Sequence, residues 1–162
     1  MTKLVVLDQV LSTEHNYEAY EYFFIQHREH NAALNWMPKE QLPQFIEPLI
    51  MTASRYFDLS NCAGFEWWCQ SEGSLPTRGW HYDLDDNLWN KQKKINYPLC
   101  SIIYYVLVQD LQGGKFITED VSVTPQTNRA IVMAPGTLHT VEPYNNGRYA
   151  VLINPWSYQI QI

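Results

Sequence analysis

Apolar positions change their spacing near residue 60. Between Thr13 and Leu59 they recur with helical spacing: Tyr17, Tyr20, Phe24 and His27 fall at i, i+3, i+7 and i+10, and Leu42, Phe45, Ile46, Leu49 and Ile50 repeat similarly. This predicts two amphipathic helices, the first capped by Ser12 or Thr13, the second opened by Pro38 with Lys39 and Glu40 behind it. Beyond Asn61 the pattern turns to short runs rich in β-branched and aromatic residues. Strands are expected at Ala63 to Gln70, Gly79 to Leu84, Leu99 to Val108, Phe116 to Thr118, Val121 to Thr124, Arg129 to Ala134, Thr137 to Glu142 and Arg148 to Asn154. Gly113-Gly114, Pro125, Pro135-Gly136 and Asn145-Asn146-Gly147 stand between them where a chain reverses. The expected class is mainly β with N-terminal helices, an antiparallel sandwich or barrel buttressed by two helices on one sheet. No repeat, low-complexity tract or linker interrupts it, so one domain is expected over 1–162, with helical support over 1–60 and the β core over 61–158.

Composition narrows the class of partner. At 162 residues and 19.0 kDa the chain suits a single core. Its 11 basic and 17 acidic residues leave a net charge of −6, with no basic surplus to neutralise a phosphate backbone. Nucleic acid and anionic membranes are therefore not expected partners. The longest mostly apolar run, Pro98 to Val108, is far short of the roughly 20 residues a bilayer span needs. The opening MTKLVVLDQVL fails as a secretory leader because Asp8 interrupts its apolar stretch. Cys62, Cys69 and Cys100 are odd in number and lack a Cys-x-x-Cys spacing, which argues against a disulfide framework or a cysteine zinc site. A cytoplasmic location is the resulting expectation, and nothing signals an oligomer. With 6 Trp and 11 Tyr, aromatic residues exceed what a minimal core needs, and some are expected to line a pocket. Trp67, Trp68, Trp80, Tyr82 and Trp89 flank the His81 segment without an assigned role.

Two histidines have an acid two places on. His27-Arg28-Glu29 lies in the first expected helix, where i and i+2 face different ways, and reads as structural. His81-Tyr82-Asp83 lies in an expected strand, where i and i+2 share a side and imidazole and carboxylate can converge on one cation. His139, after the Pro135-Gly136 turn, can supply a second imidazole. Two His and one carboxylate make the facial triad of non-haem Fe(II) oxygenases, although a zinc hydrolase can use three such ligands too. Asp83, Asp85 and Asn87 imitate the start of a calcium loop, but Leu88 and Lys94 stand where its Gly and Glu belong. Asp85 and Asp86 are read as a solvated loop face, and His15 and His30 as ordinary surface or helix-face residues. Arg148 shares a strand side with Ala150 and Leu152, which sets a guanidinium against an apolar wall where it needs a carboxylate partner.

Taken in order, WHYD, IIYYV, QGGKF, PGTLHTV and GRYAVLINPW resemble the Fe(II)- and 2-oxoglutarate-dependent dioxygenases, in particular their prolyl 4-hydroxylase-like branch. The resemblance covers about residues 63 to 156. It implies a double-stranded β-helix, or jelly roll, with His81, Asp83 and His139 as iron ligands and Arg148 as partner of the distal 2-oxoglutarate carboxylate. It further implies that Tyr105 donates its hydroxyl to 2-oxoglutarate, while alternation says only that Tyr104 and Tyr105 face opposite sides. Where some relatives carry a hydroxyl residue two or four places after the arginine, this chain has Ala150 and Leu152. Asp83 favours hydroxylation over halogenation, because halogenases of the family vacate that position. The implied activity is O₂-dependent hydroxylation of an unactivated C–H bond, on a prolyl or other amino-acid, peptide or small-molecule substrate, with release of succinate and CO₂. The other functional classes are a non-catalytic jelly-roll ligand-binding module and a zinc-dependent hydrolase.

Overall fold

The computed structural model describes residues 3–30, 32–71 and 78–162. Two antiparallel sheets form its centre. The larger has six strands in the order β1 (Leu4–Asp8), β7 (Arg129–Met133), β4 (Ser101–Val108), β9 (Arg148–Trp156), β3 (Gly64–Gln70) and β2 (Asn35–Pro38). The smaller has three, ordered β6 (Ser122–Val123), β5 (Phe116–Thr118) and β8 (His139–Val141). With helices on the outer face of the large sheet, this is the expected mainly β jelly roll.

Alternation along the central strands divides the core in two. From β4, Ile102, Tyr104 and Val106 point to the helical layer, where they meet Phe23, Phe24, Ile46 and Leu49. Ile103 and Tyr105 point the other way, towards Phe116, Val123 and Leu152 between the sheets. The helical layer consists of α1 (Thr13–Tyr20), a π-helical turn over Glu21–Gln26 and α2 (Glu47–Ser54). Ser12 caps α1 as expected, accepting a hydrogen bond from the His15 amide at 3.1 Å. No helix among the described residues is long and apolar enough to cross a membrane.

The N-terminal part departs from the helical reading in three places. The π turn widens the first helix and brings Phe23 into the core beside Phe24, while Tyr17 is left exposed. Pro38 does not open a helix: it ends β2, an edge strand where a missing N–H is tolerated, and a short 3₁₀ turn follows. The proline that starts α2 is Pro48, in its first turn. Finally, Leu4–Asp8 adds a sixth strand by pairing with β7, fastened by the Asp8 carboxylate, which accepts from Arg129 Nε at 2.6 Å and Nη2 at 3.0 Å. The β half differs twice. Gly79 to Leu84 is no strand, only a single bridge at His81, and Asp86–Gln92 forms a helix, α3. Asp85 is not solvated but buried at the N-cap of α3, where it accepts from the Leu88 amide at 2.8 Å and from the Tyr158 hydroxyl at 2.8 Å.

Candidate metal centre and its cavity

His81 and His139 are joined by one isolated antiparallel bridge, each amide donating to the other's carbonyl at 2.9 and 3.0 Å. Their rings lie side by side, with centroids 4.3 Å apart. Asp83 follows on the His81 segment, and its Oδ1 lies 3.7 Å from His81 Nε2 and 3.8 Å from His139 Nε2. The ligand atoms of all three residues fall within 4.8 Å of one another. Each Nδ1 lies 2.9 Å from a carbonyl two residues back, Gly79 for His81 and Thr137 for His139. A carbonyl can only accept, so each Nδ1 carries the proton and each Nε2 keeps its lone pair for a metal. Burial holds the His81 imidazole below its ordinary value, assisted by His139, against the opposing pull of the Gly79 carbonyl and Asp83. Two neutral imidazoles and one carboxylate are a donor set that fits a divalent iron.

A cavity of about 360 Å³ opens over this cluster. Ile103, Leu152 and Trp68 form its apolar floor, with Glu66 and Asn154 at one end and Gln70 and Tyr144 at the other. Gln70 and Tyr144 hold Arg148. Its guanidinium is 0% exposed, donates from Nη1 to Gln70 Oε1 at 3.0 Å, and lies 5.0 Å from the Tyr144 ring centroid and 5.2 Å from that of Tyr105. Its Nε and Nη2, and the hydroxyl of Tyr105, are buried without a hydrogen-bond partner among the described residues. Burial raises the Tyr105 phenol above its ordinary value, so it too remains a donor. The guanidinium offers two donors and no acceptor and the phenol hydrogen a third, a set complementary to a carboxylate, which only accepts. Local backbone fixes this end. Gly147, at φ +105°, passes so close to Gln109 that an added Cβ would lie 1.9 Å from its carbonyl oxygen, and Gly114 packs where a Cβ would meet Arg148 Cδ at 3.3 Å.

Tyr104 faces the opposite layer. Its hydroxyl lies 2.8 Å from Asn128 Oδ1 and 2.5 Å from Asn16 Oδ1, and Asn128 in turn bonds both backbone groups of Leu11. Of the other histidines, His27 is structural, with Nδ1 2.7 Å from the Tyr22 carbonyl and its ring against Tyr22 and Trp67, whereas the His30 side chain lies outside the described residues. Among the unassigned aromatics, Trp68 lines the cavity, Trp67 sits in the helix-side core, and Trp80, Tyr82 and Trp89 are exposed. Sequence reasoning passed over Glu66, Gln70, Tyr144 and Asn154. The signal was there for the first two, polar residues at i and i+4 in the otherwise apolar run GFEWWCQ.

No family model and no curated protein matches the sequence. Solved structures do match in shape. The viral collagen prolyl hydroxylase of Paramecium bursaria Chlorella virus 1, solved with 2-oxoglutarate, superposes with a TM-score of 0.65 at 13% identity, over 94% of this chain and 93% of that one. A Pseudomonas putida prolyl 4-hydroxylase gives 0.64 at 12% identity, over 96% and 93%. A Trichoplax adhaerens prolyl hydroxylase, solved with a peptide of hypoxia inducible factor, gives 0.61 at 15% identity, over 95% and 83%. At such identities the likeness is one of architecture: the chain has the jelly-roll fold of the prolyl 4-hydroxylases.

Proposed function

We propose that this protein is an Fe(II)- and 2-oxoglutarate-dependent dioxygenase that hydroxylates an unactivated C–H bond of an amino-acid or peptide substrate, prolyl or other. His81, Asp83 and His139 hold the iron through two Nε2 atoms and a carboxylate oxygen. Arg148 and Tyr105 receive the distal carboxylate of 2-oxoglutarate. The observation that carries the reading is the donor cluster at Arg148: a fully buried guanidinium beside a buried phenol, with Nε, Nη2 and the hydroxyl unpartnered. A purely structural metal site has no use for a carboxylate receptor there. The prolyl hydroxylase fold of the neighbours, one of them solved with a peptide, supports the same class of chemistry.

Once bound, iron and 2-oxoglutarate supply O₂ activation, which converts C–H to C–OH with release of succinate and CO₂. The chain supplies geometry and a dry site. Gly79 and Thr137 carbonyls orient the two imidazoles, Asp83 contributes the negative charge that favours a divalent cation, and Ile103, Leu152 and Phe116 keep water from the reacting centre.

The test is an anaerobic titration of metal-free protein with Fe(II) and 2-oxoglutarate, following the weak visible band of iron-chelated 2-oxoglutarate. The band should form in the wild type and be lost in His139→Ala. Folded wild-type protein that binds Fe(II) but gives no band would overturn the reading.

A further inference from the structure

At the end of the cavity away from Arg148, Glu66 has no place in the chemistry so far described. It is only 7% exposed, yet it lines the cavity. Its two hydrogen bonds both arrive at Oε2, from Asn154 Nδ2 at 3.3 Å and Trp156 Nε1 at 3.2 Å. Among the described residues nothing donates to Oε1. Beside it, Asn154 is 2% exposed, and its Oδ1 is buried without a partner among the described residues. Two N–H donors on one oxygen are the arrangement of a carboxylate with its second oxygen held in reserve. Oε1 is thereby left able to accept a further donor.

The charges around the cavity sharpen the point. Its acids are Glu66, Asp83 and Asp86. Asp86 is paired with Arg78 at 3.2 Å, and Asp83 stands between the two histidines. Glu66 is paired with no basic side chain among the described residues. Burial pushes its carboxyl up to about 7, against the two N–H donors that stabilise the charge, so the group is poised to ionise when a cation arrives. Along β9, Asn154 and Arg148 stand six residues apart, roughly 20 Å at the rise of a strand. The floor between them is apolar. Behind Gln70 and Tyr144, at one end of the cavity, stand the Arg148 and Tyr105 donors suited to a carboxylate, and at the other end an acceptor pair suited to a cationic donor.

We propose that the substrate carries an ammonium group, seated on Glu66 Oε1 and the Asn154 side-chain carbonyl, so that Glu66 selects amine-bearing substrates. The proposal deepens the dioxygenase reading and rests on it for the reaction that follows binding. Two sources share this chemistry, the α-amine of a free amino acid and the side-chain amine of a peptidyl lysine.

Calorimetric titrations under anaerobic conditions, on protein loaded with Fe(II) and 2-oxoglutarate and on metal-free protein, use two matched pairs. One is L-proline against N-acetyl-L-proline, the other a blocked lysyl tripeptide against its norleucyl counterpart. In at least one pair the cationic member should bind about 10- to 100-fold more tightly, the scale of a charge-assisted hydrogen bond. Which pair responds distinguishes the two sources. Glu66→Gln, isosteric and still able to accept from Asn154 and Trp156, should erase the preference while leaving the visible 2-oxoglutarate band unchanged. Equal or absent binding within both pairs, or a preference that survives in Glu66→Gln, overturns the proposal. A wild type without the visible band that still shows a Glu66-dependent amine preference would remove the dioxygenase reading and leave the amine site standing.

Discussion

Replacing Arg148 by methionine separates a co-substrate anchor from a structural arginine, because the two roles differ in what the free protein loses. The guanidinium is fully buried and, among the described residues, makes a single hydrogen bond, to Gln70, with two tyrosine rings 5.2 and 5.0 Å away. That bond contributes about 1.5–3 kcal/mol and each ring contact about 0.5–2 kcal/mol. Against them stand Nε and Nη2, whose burial without partners costs about 1–3 kcal/mol each. The terms nearly cancel, so Arg148→Met should shift the stability of the ligand-free protein by no more than about 2 kcal/mol. 2-Oxoglutarate binding behaves differently. Losing two charge-assisted bonds of about 1.5 kcal/mol or more each weakens it at least about 100-fold. The assay is thermal unfolding of Mn(II)-loaded protein with and without 2-oxoglutarate. At 100 times its dissociation constant the ligand stabilises the wild type by about 2.7 kcal/mol, a rise of about 5–11 °C for a domain this size. The same concentration should leave the variant's melting temperature nearly unmoved. A variant destabilised by more than about 4 kcal/mol whose 2-oxoglutarate shift survives would refute the anchor role and make Arg148 a structural residue.

Asp83→Ala should abolish iron-dependent succinate formation and leave the far-ultraviolet dichroism of the folded protein intact, since it removes one metal ligand from an otherwise packed segment. The two adjacent tyrosines should separate cleanly. Tyr104→Phe removes the one hydroxyl donor shared by Asn16 Oδ1 and Asn128 Oδ1, the latter keeping the Leu11 amide, and should cost about 1 kcal/mol in urea unfolding without affecting 2-oxoglutarate, whereas Tyr105→Phe should weaken 2-oxoglutarate binding with little loss of stability. Glu66 sets a pH dependence. Its carboxyl rises from an ordinary 4.5 to about 7 on folding, so between those values the native state holds the extra proton and stability falls as pH rises. The loss is at most about 3 kcal/mol, complete above about pH 7. His81, held low by burial, works in the opposite direction below its ordinary value, so the comparison must be wild type against Glu66→Gln. The variant should gain stability relative to the wild type at pH 8 and not at pH 4, read from urea midpoints.

The β half was largely legible in the sequence because its strands carry local signals: β-branched runs bounded by glycine and proline turns, as at Ser101–Val108 and Arg148–Trp156. Elements whose definition is non-local were not. Leu4–Asp8 becomes a strand only because β7 presents a free edge to it, and Asn35–Pro38 only because β3 does. Pro38 and Pro48 are both plausible helix openers by local rule, and tertiary pairing decides between them. The His81, Asp83 and His139 cluster is legible in the sequence through an element that does not exist at the expected length. His81 and Asp83 were placed on one side by strand alternation, whereas a single bridged pair suffices to bring His81 to His139. Glu66 and Asn154 were overlooked because a polar residue in a strand is usually on the solvent side, and only the second sheet shows that this side is enclosed.

That single bridged pair has a consequence for how the protein opens. His81 and His139 lie far apart in the chain and are joined by two backbone hydrogen bonds, with no flanking ladder to share the load. A metal held by both imidazoles would act there as a removable clasp, closing the long loop between them much as a cross-link would. Amide exchange at His81 and His139 should therefore slow sharply on metal loading, while the amides of β4 and β9, locked in the middle of the large sheet, keep their own pace. Metal occupancy would then govern the lifetime of one closure in the fold while leaving the sandwich around it untouched.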